Sequence, residues 1–391
     1  MNPESPSEYM RVALEEADAA LGTTSPNPAV GAVLVRDGRI VGRGHTQPPG
    51  GPHAEVMALR EASDAARGAT MYVTLEPHNH QGRTPPCTEA IIEAGVTAVH
   101  YAIDDPNPLV AGSGATRLRE AGIEVTSGDG AAESARLLEG YLHHRATGRP
   151  LVIVKYASSL DGRIASASGD ARWVSGPEAR AWVHHLRTKV DAIMVGSGTA
   201  LADDPELTAR PEGVEEPHQP LRIVVDAQGR LPATARVLGR GSLIATTEAS
   251  PADWRAALVA TGAEVLTLPS DGRYVSLEAL LDSLGERGVL SLIVEGGGGL
   301  LGALFDQRMV QRLYAVIAPV IIGAAEAPSA VSGSGARVMA DAPRLRDLSV
   351  ERLGEDTLIS GVPVWPDATS PSVGAEGPAT LARTSAPTTR E

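Results

Sequence analysis

His53, Glu55, His78, His80 and Cys87 are of types and spacing that could hold and use a metal ion. His53-Ala54-Glu55 sets an imidazole and a carboxylate two positions apart; Glu76-Pro77-His78-Asn79-His80 and then Pro85-Pro86-Cys87 follow downstream. Imidazole nitrogens and a thiolate are good zinc ligands, zinc acidifies a bound water, and a carboxylate that is not itself a ligand can move the protons. Such a set is equipped for hydrolytic attack on carbon. An H-x-E pair alone is weak evidence, because many helices begin that way. The His-rich segment and the proline-preceded cysteine together carry the reading. Cys87 opens an apolar helical pattern, where the helix dipole is expected to favour its thiolate.

A second group lies further along the chain. Lys155 sits inside the apolar run Leu151-Val152-Ile153-Val154-Lys155-Tyr156-Ala157, where a lysine is costly unless it has a task. Polarising a sugar imine or carbonyl is one such task; lying on an edge strand and reaching solvent is the bland alternative. Val294-Glu295-Gly296-Gly297-Gly298-Gly299-Leu300-Leu301-Gly302 reads as strand, tight turn and helix, and bare backbone at a helix N-terminus suits a phosphate. Four adjacent glycines satisfy many patterns, and no clear ribose-binding acid follows, so a Rossmann unit is not expected. Arg187 and Arg210 could bind an anionic substrate as bidentate donors, or could be ordinary surface residues.

The elements that must position these groups are legible in outline. A helix is expected over 8–21, a hairpin over 30–41 around Asp37-Gly38, a helix over 54–65, a buried strand over 71–75, a helix over 87–94 stopped by Gly95, a strand over 96–103 and a helix over 131–145. Strands are expected at 151–156, 192–195, 221–225, 243–245, 292–295 and 314–322, with helices between several of them. Ser175-Gly176-Pro177-Glu178 has the form of a capping box opening a helix that ends near 190. Residues 1–148, 149–366 and 367–391 are thus expected to be two α/β domains and a disordered tail rich in Ala, Pro, Ser and Thr.

Composition narrows the partners. With 34 Lys+Arg against 48 Asp+Glu, the net charge of −14 argues against a nucleic-acid binder, and acidity with few aromatics disfavours RNA-directed chemistry. One cysteine excludes any intrachain disulfide and fits a cytoplasmic, reducing setting. The N-terminus lacks a basic and an apolar region, and the most apolar run, 315–325, is broken by Pro319 and too short to span a bilayer, so no membrane association is expected.

Zinc deaminases carry an H-x-E element and a later P-C…C element. His53-Ala54-Glu55-Val56, Thr74-Leu75-Glu76-Pro77, His80, Gly82-Arg83-Thr84-Pro85-Pro86-Cys87, Asp105-Pro106-Asn107-Pro108 and Ser25-Pro26-Asn27-Pro28-Ala29-Val30-Gly31 together resemble the bifunctional riboflavin-biosynthesis deaminase–reductases of the RibD family. The likeness extends over about residues 7–364 and includes Lys155 to Arg163, Trp173-Val174-Ser175, 196–210 and the glycine turn. It implies a cytidine-deaminase-like three-layer α/β/α domain followed by a dihydrofolate-reductase-like α/β domain. Zinc would serve deamination of a 2,5-diamino-6-ribosylamino-pyrimidinone 5′-phosphate, and NADPH would serve reduction of the ribosylamino group to a ribitylamino chain. Glu55 and Lys155 would be catalytic. Asn27, His80, Arg83, Asp105 and Asn107 would hold the first substrate, although Asn27 and Asn107, each before a proline, could equally be turn residues. Ala157, Trp173, Thr199, Asp203, Gly297, Gly298, Gly299, Leu300, Leu301, Gly302 and Ala303 would line the cofactor; Ala171, Arg187, Leu207, Arg210 and Glu295 would meet the second substrate.

One position departs from the pattern. The family has Cys where this chain has His78, so the expected ligand set becomes His53, His78 and Cys87, with His80 a competing ligand. This keeps open a reductase with a degenerate or re-purposed first domain; a non-catalytic nucleotide-binding regulator is the rival from another class. A homo-oligomer, formed through the reductase half, is also implied.

Overall fold

A computed structural model describes residues 5–81, 85–107 and 110–366; Arg83, Pro108 and the expected tail 367–391 lie outside the described residues. The first half is built on a five-stranded mixed sheet. Strand Gly31–Arg36 is central to an antiparallel trio with Arg39–His45 and Thr70–Leu75, and Ala98–Ile103 and Glu124–Ser127 extend it in parallel. Alternation along the central strand sends Ala32 and Leu34 to one face and Val33 and Val35 to the other. Helix Glu8–Ala20 covers the second face through Met10 and Ala13; helices Ala54–Ala62 and Cys87–Ala94 cover the first through Ala54, Ala58 and Ile91. This is the expected three-layer sandwich.

Small residues let the helix over the first face come close. A Cβ on Gly42 would lie 2.2 Å from the Ala58 carbonyl oxygen, and one on Gly44 would lie 2.5 Å from the Ala58 nitrogen. Both glycines stand on strand Arg39–His45, directly under the helix whose first turn carries His53 and Glu55.

The second half carries a nine-stranded sheet. Six parallel strands, Glu264–Thr267, Ser242–Thr246, Leu221–Val225, Ala192–Gly196, Ser291–Val294 and Leu151–Ser159, are followed by Arg312–Ala318, also parallel, and then antiparallel Asp356–Val364 and Arg344–Leu353. Leu151–Ser159 is therefore an interior strand, and Lys155 has no edge from which to reach solvent.

Several boundaries differ from expectation. The helix expected over 131–145 divides into Ala131–Leu137 and Glu139–Thr147. The strand expected over 314–322 ends at Ala318, before Pro319, which cannot donate to a ladder. Ser175 does not cap its helix: Gly176 is the N-cap residue, Pro177 takes the first helical position, and the Gly176 N–H donates to Asp356 Oδ2 at 2.7 Å. Helix Ser113–Glu120, strand Glu124–Ser127 and the final antiparallel pair were not foreseen.

The halves pack directly on one another. Leu290 of the second is buried with Leu138 and Tyr141 in the core of the first. Lys189 pairs with Asp18, Arg312 with Glu139 at 2.7 Å, and the Ser25 hydroxyl donates to Asp191. Among the described residues no helix is long and apolar enough to cross a membrane.

Candidate active sites

Two adjacent helix starts and a strand end build the first site. His53 is the N-cap residue of Ala54–Ala62, Glu55 lies in its first turn, Cys87 opens Cys87–Ala94, and His78 follows strand Thr70–Leu75. Ligand atoms of His53, His78 and Cys87 all lie within 4.8 Å of one another, with Cys87 Sγ 3.6 Å from His53 Nδ1. The His53 and His78 rings stand 4.6 Å apart. His78, Cys87 and Glu55 are buried.

The electrostatics suit a cation. Burial first, then the neighbouring imidazoles of His53 and His80, push His78 down to about 4, so it is neutral near pH 7 and its lone pair is free to ligate. Cys87 is a correction. Burial, followed by the charge of Glu55 and a hydrogen bond with it, pushes the thiol well up, against the thiolate expected from the helix dipole. A positive ion at the centre of the three donors reverses that balance, since a coordinating thiol is deprotonated outright. The donor set thus fits zinc: two imidazoles, one thiol with a carboxylate beside it, and spacing of ligand size.

Neighbouring groups hold this pocket in shape. The Glu76 carboxylate, quoted in the sequence pattern without a role, is buried and accepts from the backbone N–H groups of Gly112, Gly114 and Ala115 at 3.0, 3.1 and 3.1 Å. It caps helix Ser113–Glu120 and ties it to the strand leading to His78. Asp105 accepts from the Tyr141 hydroxyl at 3.0 Å and from the Asn107 N–H at 2.9 Å, and burial raises its pKa. Asn107 accepts from Arg145 at 3.0 Å and its carbonyl oxygen receives the N–H groups of Val110 and Ala111, so its turn role is present. The His80 ring is 5.3 Å from that of His78, and its Nδ1 is buried without a hydrogen-bond partner. Asn27, half-buried, lines a cavity of about 430 Å³ between the two halves.

The second site is a cleft of about 1100 Å³ along the carboxyl ends of the parallel strands. It is lined by Lys155, Ala157, Ala171, Thr199, Asp203, Glu295, Gly297, Gly298, Gly299, Leu300 and Ala303 of the expected set. Gly297 is the N-cap residue of helix Gly298–Asp306, and its N–H donates to Thr199 Oγ1 at 2.9 Å. Leu301 and Gly302 turn away. Leu301 is fully buried in the core, and a Cβ on Gly302 would lie 2.0 Å from the Ser332 carbonyl oxygen, so that glycine serves packing of the 329–333 loop. Trp173 is 70% exposed beside the cleft, with the Arg180 guanidinium 4.7 Å from its ring centre.

At the cleft floor Glu295 joins two cations. Arg187 donates to it through two nitrogens at 2.9 and 3.0 Å, and Lys155 Nζ is 3.7 Å away. Burial alone would raise Glu295, but the charges of Arg187 and then Lys155 outweigh it and hold the carboxyl at about 2. Burial lowers Lys155, with Glu295 opposing. Arg187, expected to offer its fork to substrate, has given it to Glu295, and a third nitrogen donates to the Thr208 carbonyl at 3.0 Å. Leu207 is buried in the core. Arg210 is exposed and bonded to Glu206 and Thr208.

The comparisons fall on both sites. A family model described as the RibD C-terminal domain matches residues 150–359, and one described as the cytidine and deoxycytidylate deaminase zinc-binding region matches 3–103. The riboflavin biosynthesis protein RibD of Bacillus amyloliquefaciens is 40% identical over 359 residues, 91% of this chain and 95% of its own. That of Mycobacterium tuberculosis is 43% identical over 359 residues, covering 90% and 96%. The solved structure of Acinetobacter baumannii RibD superposes with a TM-score of 0.82 at 37% identity, over 91% of this chain and 98% of its own. A Thermotoga maritima diaminohydroxyphosphoribosylaminopyrimidine deaminase/5-amino-6-(5-phosphoribosylamino)uracil reductase superposes at 0.80 with 35% identity over the same shares.

Proposed function

The chain belongs to the RibD family, bifunctional deaminase–reductases of riboflavin biosynthesis that use zinc and NADPH, and from that membership we propose how its own residues divide the work. Residues 1–148 form the deaminase and 149–366 the reductase. The substrates are those named for the Thermotoga maritima enzyme, a diamino-pyrimidine ribonucleotide and then the corresponding 5-amino-uracil.

In the first half His53, His78 and Cys87 hold the zinc. When bound, the metal supplies a Lewis acid that makes water nucleophilic at neutral pH. Glu55, close enough to hydrogen-bond the Cys87 thiol, takes a proton from the attacking water and delivers one to the departing amino nitrogen, so that a C–N bond breaks and ammonia leaves. His80, Asp105, Asn107, Asn27 and Arg83 position the base, ribose and phosphate. In the second half Gly297, Gly298, Gly299 and the N-terminus of helix Gly298–Asp306 cradle the cofactor's phosphates. NADPH supplies the hydride. Lys155, held toward the cleft by Glu295, donates its charge or a proton where negative charge builds as the sugar carbon is reduced. Ala171, Arg187, Leu207 and Arg210 complete the substrate end, Arg187 by fixing Glu295 rather than by direct grip.

The observation that carries this reading is the convergence of His53, Glu55 and Cys87 at two helix starts with His78 beyond a strand end. Glu55→Gln should leave one zinc per chain by metal analysis and normal NADPH oxidation on the deaminated substrate, while ammonia release falls by about 100-fold or more. Ammonia release unchanged in that variant would remove Glu55 from the chemistry.

Three further features belong to the proposal. The enzyme works in the cytoplasm, free of nucleic acid and membrane, as its charge of −14 and single cysteine support. It is a homo-oligomer through the reductase half, where the outer strand Arg344–Leu353 exposes Leu348 and Val350 at 60% and 61% and the preceding turn exposes Met339 at 83%.

A further inference from the structure

Helix Glu139–Thr147 closes the first half, and two of its faces reach different partners. Gly140 and His144, four positions apart, look toward the second half. A Cβ on Gly140 would lie 3.1 Å from the Leu290 carbonyl oxygen, and His144 Nε2 donates to the Gly285 carbonyl at 3.0 Å. Tyr141 and Arg145 stand one position further on, about 100° round the helix axis, and look toward the loop after strand Ala98–Ile103. The Tyr141 hydroxyl donates to Asp105 Oδ1 at 3.0 Å, and Arg145 Nη2 donates to Asn107 Oδ1 at 3.0 Å. Both ends of the helix are fastened. Glu139 in its first turn accepts from Arg312 Nε at 2.7 Å. Just past its last turn Arg149 donates to Glu278 and Asp282 of helix Leu277–Glu286, at 2.9 and 2.5 Å. A Cβ on Gly285 of that same helix would lie 1.8 Å from the Gly148 carbonyl oxygen.

The loop that this helix grips runs beside the zinc-ligand segment. Leu75 is level with Ile103, and the Glu76 N–H donates to the Ile103 carbonyl at 3.0 Å, so residues 104–107 leave the sheet next to the chain that carries His78. Asp105 is buried there. Its Oδ1 takes both the Tyr141 hydroxyl and the Asn107 N–H; among the described residues no donor is placed on Oδ2, the oxygen left for a substrate. Residues 104–107 belong to no helix or strand. A carboxylate on such a loop keeps one orientation only when a rigid element holds it, and a helix fastened at both ends is one. Burial, then the charge of Asp105, push the Tyr141 hydroxyl well above its ordinary range, so it stays a donor at any working pH.

We propose that Tyr141 and Arg145 are positioning residues of the first reaction, setting Asp105 and Asn107 in the orientation that binds the pyrimidine ribonucleotide. The inference rests on the reading of Asp105 and Asn107 as substrate-holding residues. Ammonia release by the full chain, followed against the concentration of the diamino-pyrimidine ribonucleotide, tests it. Tyr141→Phe keeps the buried ring and removes only the donor. Its KM should rise about tenfold with kcat little changed, and zinc content and NADPH oxidation should match wild type. Arg145→Ala, at an exposed position, should raise KM about threefold, and Arg145→Lys should recover part of that. In an Asp105→Ala background Tyr141→Phe should add almost nothing, because its route to the substrate is already cut; independent losses would multiply instead. An unchanged KM in Tyr141→Phe, or an effect that persists in full without Asp105, would overturn the proposal. So would a parallel loss of zinc or of NADPH oxidation, which marks a merely structural role. Asp105→Ala with a wild-type KM would overturn the reading of Asp105 as a substrate residue, a result that no Tyr141 or Arg145 variant can mimic.

Discussion

Glu295 is the hinge of the reductase floor, and its charge has a measurable price in acid. Its carboxyl is held at about 2, against an ordinary value of 4.5, because Arg187 and Lys155 outweigh the effect of burial. A carboxyl depressed on folding stabilises the protein above its unfolded value, and that contribution is lost as pH falls from about 4.5 toward 2. Denaturant unfolding at successive pH values should show this loss, up to roughly 3 kcal/mol from the shift alone. Glu295→Gln should flatten the slope over the same window and also lower stability at neutral pH, because Arg187 and Lys155 are then buried without a counter-charge. An unchanged slope would show that the carboxyl titrates elsewhere. Lys155 itself should be needed for turnover more than for binding. Replacing it by Met should cut the rate of NADPH oxidation by about 100-fold or more, with cofactor affinity retained in calorimetry. Near-normal turnover would count against its role.

At the scale of elements, the sequence was most informative where pattern and chemistry coincided. Helix Cys87–Ala94 begins and ends as expected, because a proline-preceded start and a glycine stop frame a short apolar stripe. The His53–His78–Cys87 grouping could be expected from residue types, since both helix starts follow strands of one sheet. Other features were hidden. Helix Ser113–Glu120 depends on the distant Glu76 carboxylate for its first turn, a partner that no local pattern reveals. Arg187 looked like a free anion ligand because its mate, Glu295, is 108 positions away. Ser175 resembled a cap, but the Asp356 carboxylate, from the far end of the chain, took over the helix entrance. The outer final strand Arg344–Leu353, exposed along nearly all its length, lacked a buried apolar alternation to announce it. Closeness of helix Ala54–Ala62 to its sheet is a prediction at this same scale. A methyl at Gly44 would lie 2.5 Å from the Ala58 nitrogen and 2.6 Å from the Ala54 carbonyl oxygen. Gly44→Ala should therefore cost about 1–3 kcal/mol and, by tilting the helix that carries His53 and Glu55, should lower zinc retention in a chelator challenge. Zinc retention equal to wild type would mean the strain is absorbed elsewhere.

At the scale of the molecule, two chemistries share one body without sharing a site. The first half's core is completed by Leu290 from the second, and ion pairs at Lys189–Asp18 and Arg312–Glu139 span the seam. Assembly beyond one chain is expected through the outer strand of the nine-stranded sheet. Val350→Asp should halve the sedimenting mass of a dimer while leaving ammonia release by the distant first half intact; an unchanged mass would move the interface away from this strand. The only sulfhydryl of the chain offers something else. Cys87 is buried at the ligand cluster, so a thiol-directed reagent meets a single target, and that target sits where the metal belongs. The rate of labelling under native conditions becomes a clock for metal release, one signal per chain, undisturbed by any second cysteine.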